Sequence, residues 1–305
     1  MQQIQNESSG VLLIDKHAGA TSHDIVNKVR RAYGTRRVGH TGTLDPMATG
    51  LLVVLVGRAA KAAEYLVADT KHYLATLRLG ITTDTEDTTG EVITTHESLP
   101  QKEQVEAICE AFRGKIQQVP PMYSAIKIGG KKLVDIARAG GEIERAPREI
   151  EIFSLTVTPT DTPTDYTLDV VCSSGTYIRT LCADIGKSLG CGGAMASLRR
   201  LGAGGFDIEN AVTVAQLEQM TPEGREAKLL PIESLFETLP AMRLPAFFER
   251  LCRSGCEIYQ KKLRTDLAIG TTVRLCDERG HFFALGRVLD YPDGSAVKSI
   301  KMFEI

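Results

Sequence analysis

Apolar and polar positions along this chain form short strand-like alternations and short helical stripes in mixed order. Val11 to Ile14 is an unbroken aliphatic run, the pattern of a strand buried on both faces. Thr21-Ser22-His23-Asp24 then predicts a helix start, with Thr21 as cap and Asp24 three residues on. Ile25, Val29 and Ala32 follow at helical spacing, and Gly34 supplies a stop. Leu51–Val56 predicts a second buried strand. In His72–Leu79 the residues Tyr73, Ala75, Leu77 and Leu79 share one face of a third. Residues 101–114 read as helix and Tyr166–Cys172 as strand. Ile178, Leu181, Cys182, Ile185 and Leu189 make a helical stripe that ends at Gly190.

Residues 221–245 hold four prolines and little periodicity, so a boundary is expected there. Beyond it, Thr271–Cys276, His281–Leu285 and Arg287–Leu289 read as short strands of a small β domain. The mixed order before the boundary predicts an α+β class. The polar stretch 1–9 is expected to be disordered, and no internal repeat is visible.

At 305 residues the chain suits one large domain or two. Its longest aliphatic run falls far short of the ~20 residues that span a bilayer, and its first residues carry no basic region of a secretory signal. A cytoplasmic protein is therefore expected. Seven scattered cysteines form no C-x-x-C pair, and six histidines lack metal-ligand spacing, so packed thiols are the simpler reading. No phosphate-binding loop or dinucleotide fingerprint occurs. Neither cofactor nor metal is expected.

Net charge is -2. Taken as a sum, this argues against a nucleic-acid partner, whose usual footprint is a basic excess. Placement says otherwise. Residues 28–37 hold five basic residues and no acid, 124–148 hold six and three, and 243–264 hold six and two. Residues 82–99 hold five acids and no base. One such run is usually a solvated face. Three make a polyanion partner plausible, because phosphate contacts are electrostatic and additive.

The most unusual stretch is Gly39-His-Thr-Gly-Thr-Leu-Asp-Pro-Met-Ala-Thr-Gly50, a turn-rich loop feeding the Leu51–Val56 strand. Pro46 pushes Asp45 into an extended conformation. On spacing alone Asp45 is a turn carboxylate more often than a catalytic one. Arg179 falls in the first turn of its helix, where the macrodipole disfavours a cation. A carboxylate partner would explain it, although an arginine reaching into water is the commoner case. On the same terms Tyr73 and Tyr177 are core aromatics.

Together these segments resemble the TruB family of tRNA pseudouridine synthases. Gly39-His40-Thr41-Gly42-Thr43-Leu44-Asp45-Pro46 with Thr49-Gly50 is similar to the signature around that family's catalytic aspartate. Asp15-Lys16 with Gly19, Thr21 and Ser22 resembles its N-terminal motif. Lys71-His72-Tyr73, followed by Gly80 and the acidic stretch, resembles its tyrosine-bearing motif. Gln118-Val-Pro-Pro-Met-Tyr-Ser-Ala-Ile-Lys127 resembles the start of its RNA-gripping insertion. Ser174-Gly-Thr-Tyr-Ile-Arg179, with Leu198-Arg199-Arg200-Leu201 after it, resembles its last core motif. The likeness covers about residues 10–240. Two positions depart: His17 stands where proline is usual, and Leu133-Val134 where Ala-Tyr is common.

The resemblance implies a pseudouridine synthase fold: a mixed, largely antiparallel central sheet flanked by helices over 10–235, with an RNA-binding insertion at about 120–150. It implies a PUA-like RNA-binding domain over 240–305. It implies conversion of the uridine at position 55 of the tRNA T-loop to its C-glycoside isomer by base flipping, with no cofactor or metal. Asp45 is then the catalytic carboxylate; attack on the sugar, attack on the base and removal of a sugar proton all stay open. Arg179 holds Asp45 ionised, and Tyr73 stacks on the uracil and assists a late proton transfer. Tyr177 and Leu198 close the pocket, His40 fills the vacated stack, and Lys16 contacts substrate. Arg30, Arg31, Arg36, Arg37, Lys127, Lys131, Lys132, Arg199 and Arg200 are the expected RNA-binding cations, and a monomer is the simplest state. Three rival readings remain at this level: a tRNA-folding RNA-binding module, a guide-RNA-dependent synthase, and a glycosidase. The last would usually need two paired carboxylates.

Overall fold

The computed structural model describes residues 8–66, 70–124 and 126–304. Residues 1–7 of the segment expected to be disordered lie outside them. Ser9 is placed, and its Oγ accepts a hydrogen bond from the Arg58 amide at 3.1 Å.

Most predicted strands and helices form where the apolar pattern puts them, but the helix expected over 101–114 stops at Ala111, and Gly114, at φ +85°, opens a strand instead. Strand β1 (Gly10–Lys16) leads into α1 (Ser22–Tyr33), which Thr21 caps in a reciprocal box with Asp24 and Gly34 closes in the left-handed conformation. Then come β2 (Val38–His40), β3 (Thr49–Val56) and β4 (Thr70–Leu79), the last burying Tyr73, Ala75, Leu77 and Leu79 on one face. A hairpin of β5 (Ile81–Thr83) and β6 (Val92–Thr95) precedes α2 (Lys102–Ala111) and β7 (Gly114–Gln118). Between β7 and the long strand after it, residues 119–147 hold a small hairpin of β8 (Lys127–Ile128) and β9 (Lys131–Lys132), then α3 (Leu133–Arg138). Strands β10 (Arg148–Pro159) and β11 (Asp165–Ser173), helix α4 (Ile178–Ser188) and strand β12 (Gly193–Ala203) complete the site-bearing part.

The main sheet runs β1-β3-β12-β4-β11-β10-β7, with the short strand Val212–Thr213 beyond β1 and β2 beside β3. Most pairs are antiparallel. The exceptions are β12 with β3 and Val212–Thr213 with β1, so the sheet is mixed and largely antiparallel, as expected. Three apolar clusters cover it, one of them on Val11, Leu13, Leu51, Val53 and Leu55. Ile25, Val26 and Val29 of α1 pack on Leu12, Ile14, Leu52 and Val54, and α2 and α4 pack on β4, β11 and β12.

Residues 241–302 build a second, five-stranded sheet: Ala241–Arg243, Thr272–Cys276, Phe282–Leu289, Ala296–Met302 and Ile258–Tyr259 in spatial order. His281–Leu285 and Arg287–Leu289, expected as two strands, are one. The chain runs through Gly286 with a register shift between Leu285 and Gly286, and a glycine inside a strand marks such a bulge more often than a turn. This sheet is fastened to the rest by Phe236, Phe282 and Phe303, by the ion pair Arg274–Glu233 at 2.6 Å and by the pair Lys301–Glu64.

Candidate active site

Asp45 lies in the loop between β2 and β3, and the fold grips that loop from below. The Ser22 hydroxyl, in the first turn of α1, donates to the Leu44 carbonyl at 3.0 Å and accepts from the Leu44 amide at 2.8 Å. The amide of Gly19 donates to the Pro46 carbonyl at 2.8 Å. Lys16 Nζ donates to the same carbonyl at 3.2 Å, and to those of His17 and Ala20 at 3.0 and 2.8 Å. Arg200 Nε donates to the Leu51 carbonyl at 2.7 Å, and its Nη2 to Gly42 at 3.1 Å. Each of these polar side chains is buried, so few alternatives compete with the bonds they make.

Arg179 supplies the partner that its helix position called for. Its Nε lies 2.9 Å from Asp45 Oδ2, and its Nη2 lies 3.5 Å from Oδ1. The same guanidinium donates to the carbonyls of Thr85 at 3.1 Å and Tyr123 at 2.7 Å, and stands 3.9 Å from Asp87 Oδ2. Arg179 and Asp87 are buried, whereas the Asp45 side chain keeps about a third of its surface exposed at 35 %. A buried cation between two carboxylates is compensated, and the half-open one is the one that can meet a substrate.

The acidic stretch 82–99 therefore divides. Asp84, Glu91 and Glu97 are exposed, but Asp87 turns inward to Arg179, and Glu86 accepts from the Thr180 hydroxyl at 2.6 Å. Burial, outweighing that hydrogen bond and the nearby Arg179, pushes the Glu86 carboxyl up. The stretch is not simply a negative pole set against the basic runs, because part of it builds the site.

A cavity of about 750 Å³ opens over Asp45. His40, Asp45, Tyr73, Tyr177, Arg179 and Leu198 all line it, so the sheet gathers residues spread over 159 positions of chain into one wall. Strand order does this. β12 lies between β3, which follows the Asp45 loop, and β4, which carries Tyr73; α4 starts beside them with Tyr177 as its cap residue. Burial, and then Arg200 and His23, hold the His40 imidazole below its usual pKa, so it is largely neutral at pH 7. Burial is also the main cause that raises the Tyr177 hydroxyl.

The remaining expected residues are not where an RNA surface would put them all. Lys16 is fully buried beneath the loop and is absent from the cavity lining. Burial, opposed by Asp45, pulls its ammonium down to about 8. Arg200, expected on the RNA-binding surface, is only 1 % exposed; its guanidinium is spent on the carbonyls of Leu51 in β3 and Gly42 in the loop, beside the cavity. Arg199 pairs with Asp15 at 2.8 Å across the sheet. By contrast Arg31, Arg36, Arg37, Lys127, Lys131 and Lys132 are exposed, and Lys132 reaches the cavity rim. Arg30 is half-buried against Asn27 and the Val38 carbonyl.

Sequence reasoning missed three positioning groups. Ser22 clamps Leu44. The Gln118 amide grips both backbone groups of Tyr177, donating at 3.0 Å and accepting at 2.8 Å. Asp87 shares Arg179. Ser22 and Gln118 lie inside recognisable motifs, but nothing local marks Asp87 among its acidic neighbours. Among the described residues no cluster of His, Cys, Asp and Glu could hold a metal ion, and no helix is long and apolar enough to cross a membrane.

Comparison with known proteins now gives the site its lineage. Residues 30–178 match the model of the TruB family pseudouridylate synthase (N terminal domain), and residues 179–237 that of the tRNA pseudouridylate synthase B C-terminal domain. The chain belongs to the TruB family. A tRNA pseudouridine synthase B of Dechloromonas aromatica is 48 % identical over 76 % of this chain and 77 % of that one. One from Syntrophotalea carbinolica is 44 % identical over 80 % of each, and one from Burkholderia mallei 41 % over 91 % and 92 %. A chain of a Cbf5-Nop10-Gar1 complex superposes with a TM-score of 0.74 at 24 % identity, covering 97 % of this chain and 85 % of that one. At that identity the likeness speaks for the fold alone. TruB membership carries pseudouridine formation from uridine in tRNA.

Proposed function

We propose that this TruB protein converts the uridine at position 55 of the tRNA T-loop to pseudouridine, with Asp45 as the catalytic carboxylate. The reaction breaks the N1–C1′ bond, turns the base, and bonds C5 to C1′. The C5 proton leaves and N1 ends protonated, so atoms and electrons balance without an oxidant or a second substrate. Its requirement is a carboxylate beside the sugar and base in a water-poor site.

The observation that carries this reading is the Asp45–Arg179 pair. A half-open carboxylate is held at 2.9 Å by a guanidinium that is itself locked to the Thr85 and Tyr123 carbonyls. Such a pair keeps the Asp45 carboxylate aimed. Tyr73 stacks on the flipped uracil, Tyr177 and Leu198 close on the ring, and neutral His40 takes the place the base vacates. Arg31, Arg36, Arg37 and the lysines of the 127–132 hairpin contact backbone phosphates, which position an RNA loop without reading its sequence. Arg30 and Arg199 contribute to the same field. The tail domain binds RNA beside the catalytic part, the protein acts as a monomer, and its substrate places it in the cytoplasm.

Two relations disfavour guide-RNA dependence. The relatives at 41–48 % identity are named as tRNA enzymes, and the Cbf5 likeness is one of fold. The test is Asp45→Asn with T-loop RNA carrying [5-³H]uridine. The variant is expected to bind RNA at wild-type affinity and to release no tritium. Retained tritium release would remove Asp45 from its role. A role in RNA folding alone would leave wild type unable to release tritium.

A further inference from the structure

One hydroxyl in the cavity wall has no part in the chemistry described so far. Ser124 is only 6 % exposed and lines the same cavity as Asp45. Its Oγ lies against the Tyr177 hydroxyl, yet it reaches no hydrogen bond of normal geometry to any described residue. Its backbone is pinned on both sides: its amide donates to the Met122 carbonyl at 2.9 Å, and its carbonyl accepts from the Val134 amide at 3.1 Å. The preceding carbonyl, of Tyr123, is the one that holds Arg179. The Ser124 backbone is thus fixed in place one residue from the group that orients Asp45.

A buried hydroxyl with no well-formed hydrogen bond to the protein, only a neighbouring hydroxyl on Tyr177, bears much of the cost of leaving water, and folded proteins keep few of them. The Ser124 backbone is held on both sides, so only rotation of the side chain is left, and the Tyr177 hydroxyl and the cavity are what it meets. It faces a space large enough for a nucleoside, next to the tyrosine that closes on the base. We propose that Ser124 Oγ donates a hydrogen bond to a carbonyl oxygen of the uracil ring, and so holds the base in register with Asp45 while the glycosidic bond breaks. This inference rests on the proposed reaction and adds a specificity contact to it. Uracil offers two carbonyl acceptors, at C2 and C4, and the experiment separates them.

The experiment is Ser124→Ala in the full chain, assayed with T-loop RNA carrying uridine, 2-thiouridine or 4-thiouridine at the target. The variant should keep wild-type RNA affinity and lose about tenfold in kcat, the size of one hydrogen bond made at the reacting base. Its Tm should stay level or rise, because the substitution removes a buried polar group with no well-formed bond to the protein. Sulfur is a poor acceptor. With the thio substrate that lacks the partner oxygen, wild type should slow to the rate of the variant, and the substitution should then cost nothing more. A variant as active as wild type would overturn the proposal. So would a fallen Tm, which would mean the hydroxyl serves the fold, or an equal loss with all three substrates. Wild type inactive on the uridine RNA would instead sink the proposed reaction itself.

Discussion

Asp45 shows how little a single residue type says until its neighbours are known. Aspartate before proline is ordinary turn chemistry. What sets this one apart is that Ser22, Lys16, Arg200 and Arg179 hold its loop from four directions. Arg179→Lys tests the grip directly. An ammonium cannot hold two carboxylate oxygens and two carbonyls at once, so kcat is expected to fall about a hundredfold (about 3 kcal/mol) with RNA affinity kept. Single-turnover kinetics with a filter-binding control would show it. Gly50 has a different task. Its φ is +100°, and a Cβ there would sit 2.2 Å from the Arg200 carbonyl oxygen. Gly50→Ala should therefore destabilise by at least about 2 kcal/mol, read from the urea midpoint.

At the level of elements, α4 explains why a cation is tolerated in a first helical turn. The helix is clamped at its start by Gln118 on Tyr177, and Asp45 and Asp87 together outweigh the unfavourable dipole at Arg179. Its far end lies almost in contact with β12: a Cβ on Gly186 would meet the Gly193 amide nitrogen at 2.1 Å. Gly186→Ala must push the helix off the strand. It should lower Tm by several degrees and reduce activity by displacing Arg179, which differential scanning fluorimetry and the tritium assay would measure together. α1 and β4 were legible from periodicity because each has one wet face and one dry face. β12 was not. Its second half, Ser-Leu-Arg-Arg-Leu-Gly-Ala, carries two adjacent arginines, and Arg200 became a core residue only because β3 and the Asp45 loop offered carbonyls to receive it.

Across the whole molecule, six of the seven cysteines are buried as thiols. Burial pushes Cys109 and Cys172 up to about 11, and Cys182 further still. Because these folded-state values lie above the ordinary thiol value of 9.0, the fold binds more protons than the unfolded chain above that pH. Their stabilising contribution is complete below about pH 9 and is lost as pH rises through about 11. Lys16, pulled down to about 8, works in the opposite sense, so the cysteine part is read as the Tm difference between wild type and a variant with Cys109, Cys172 and Cys182 replaced by alanine, in reducing buffer: that difference should be flat from pH 7 to about 8.5 and should fall from about 9 to 11. A difference independent of pH over that range would contradict the assignment.

By itself the amino-acid sequence determined the α+β class, the strands and helices with clear periodicity and the motifs that resemble TruB proteins. These are local properties, written in the spacing of apolar side chains and in short stretches of turn residues. Net charge misled, since a sum of -2 conceals three basic runs. Tertiary structure alone decided which charges face water. Lys16 and Arg200 lie inside, holding the Asp45 loop, and Asp87 turns in to share Arg179. The reason is physical. A charge can be buried only where distant chain supplies carbonyls or an opposite charge to receive it, and no pattern along the sequence shows which distant segments will meet.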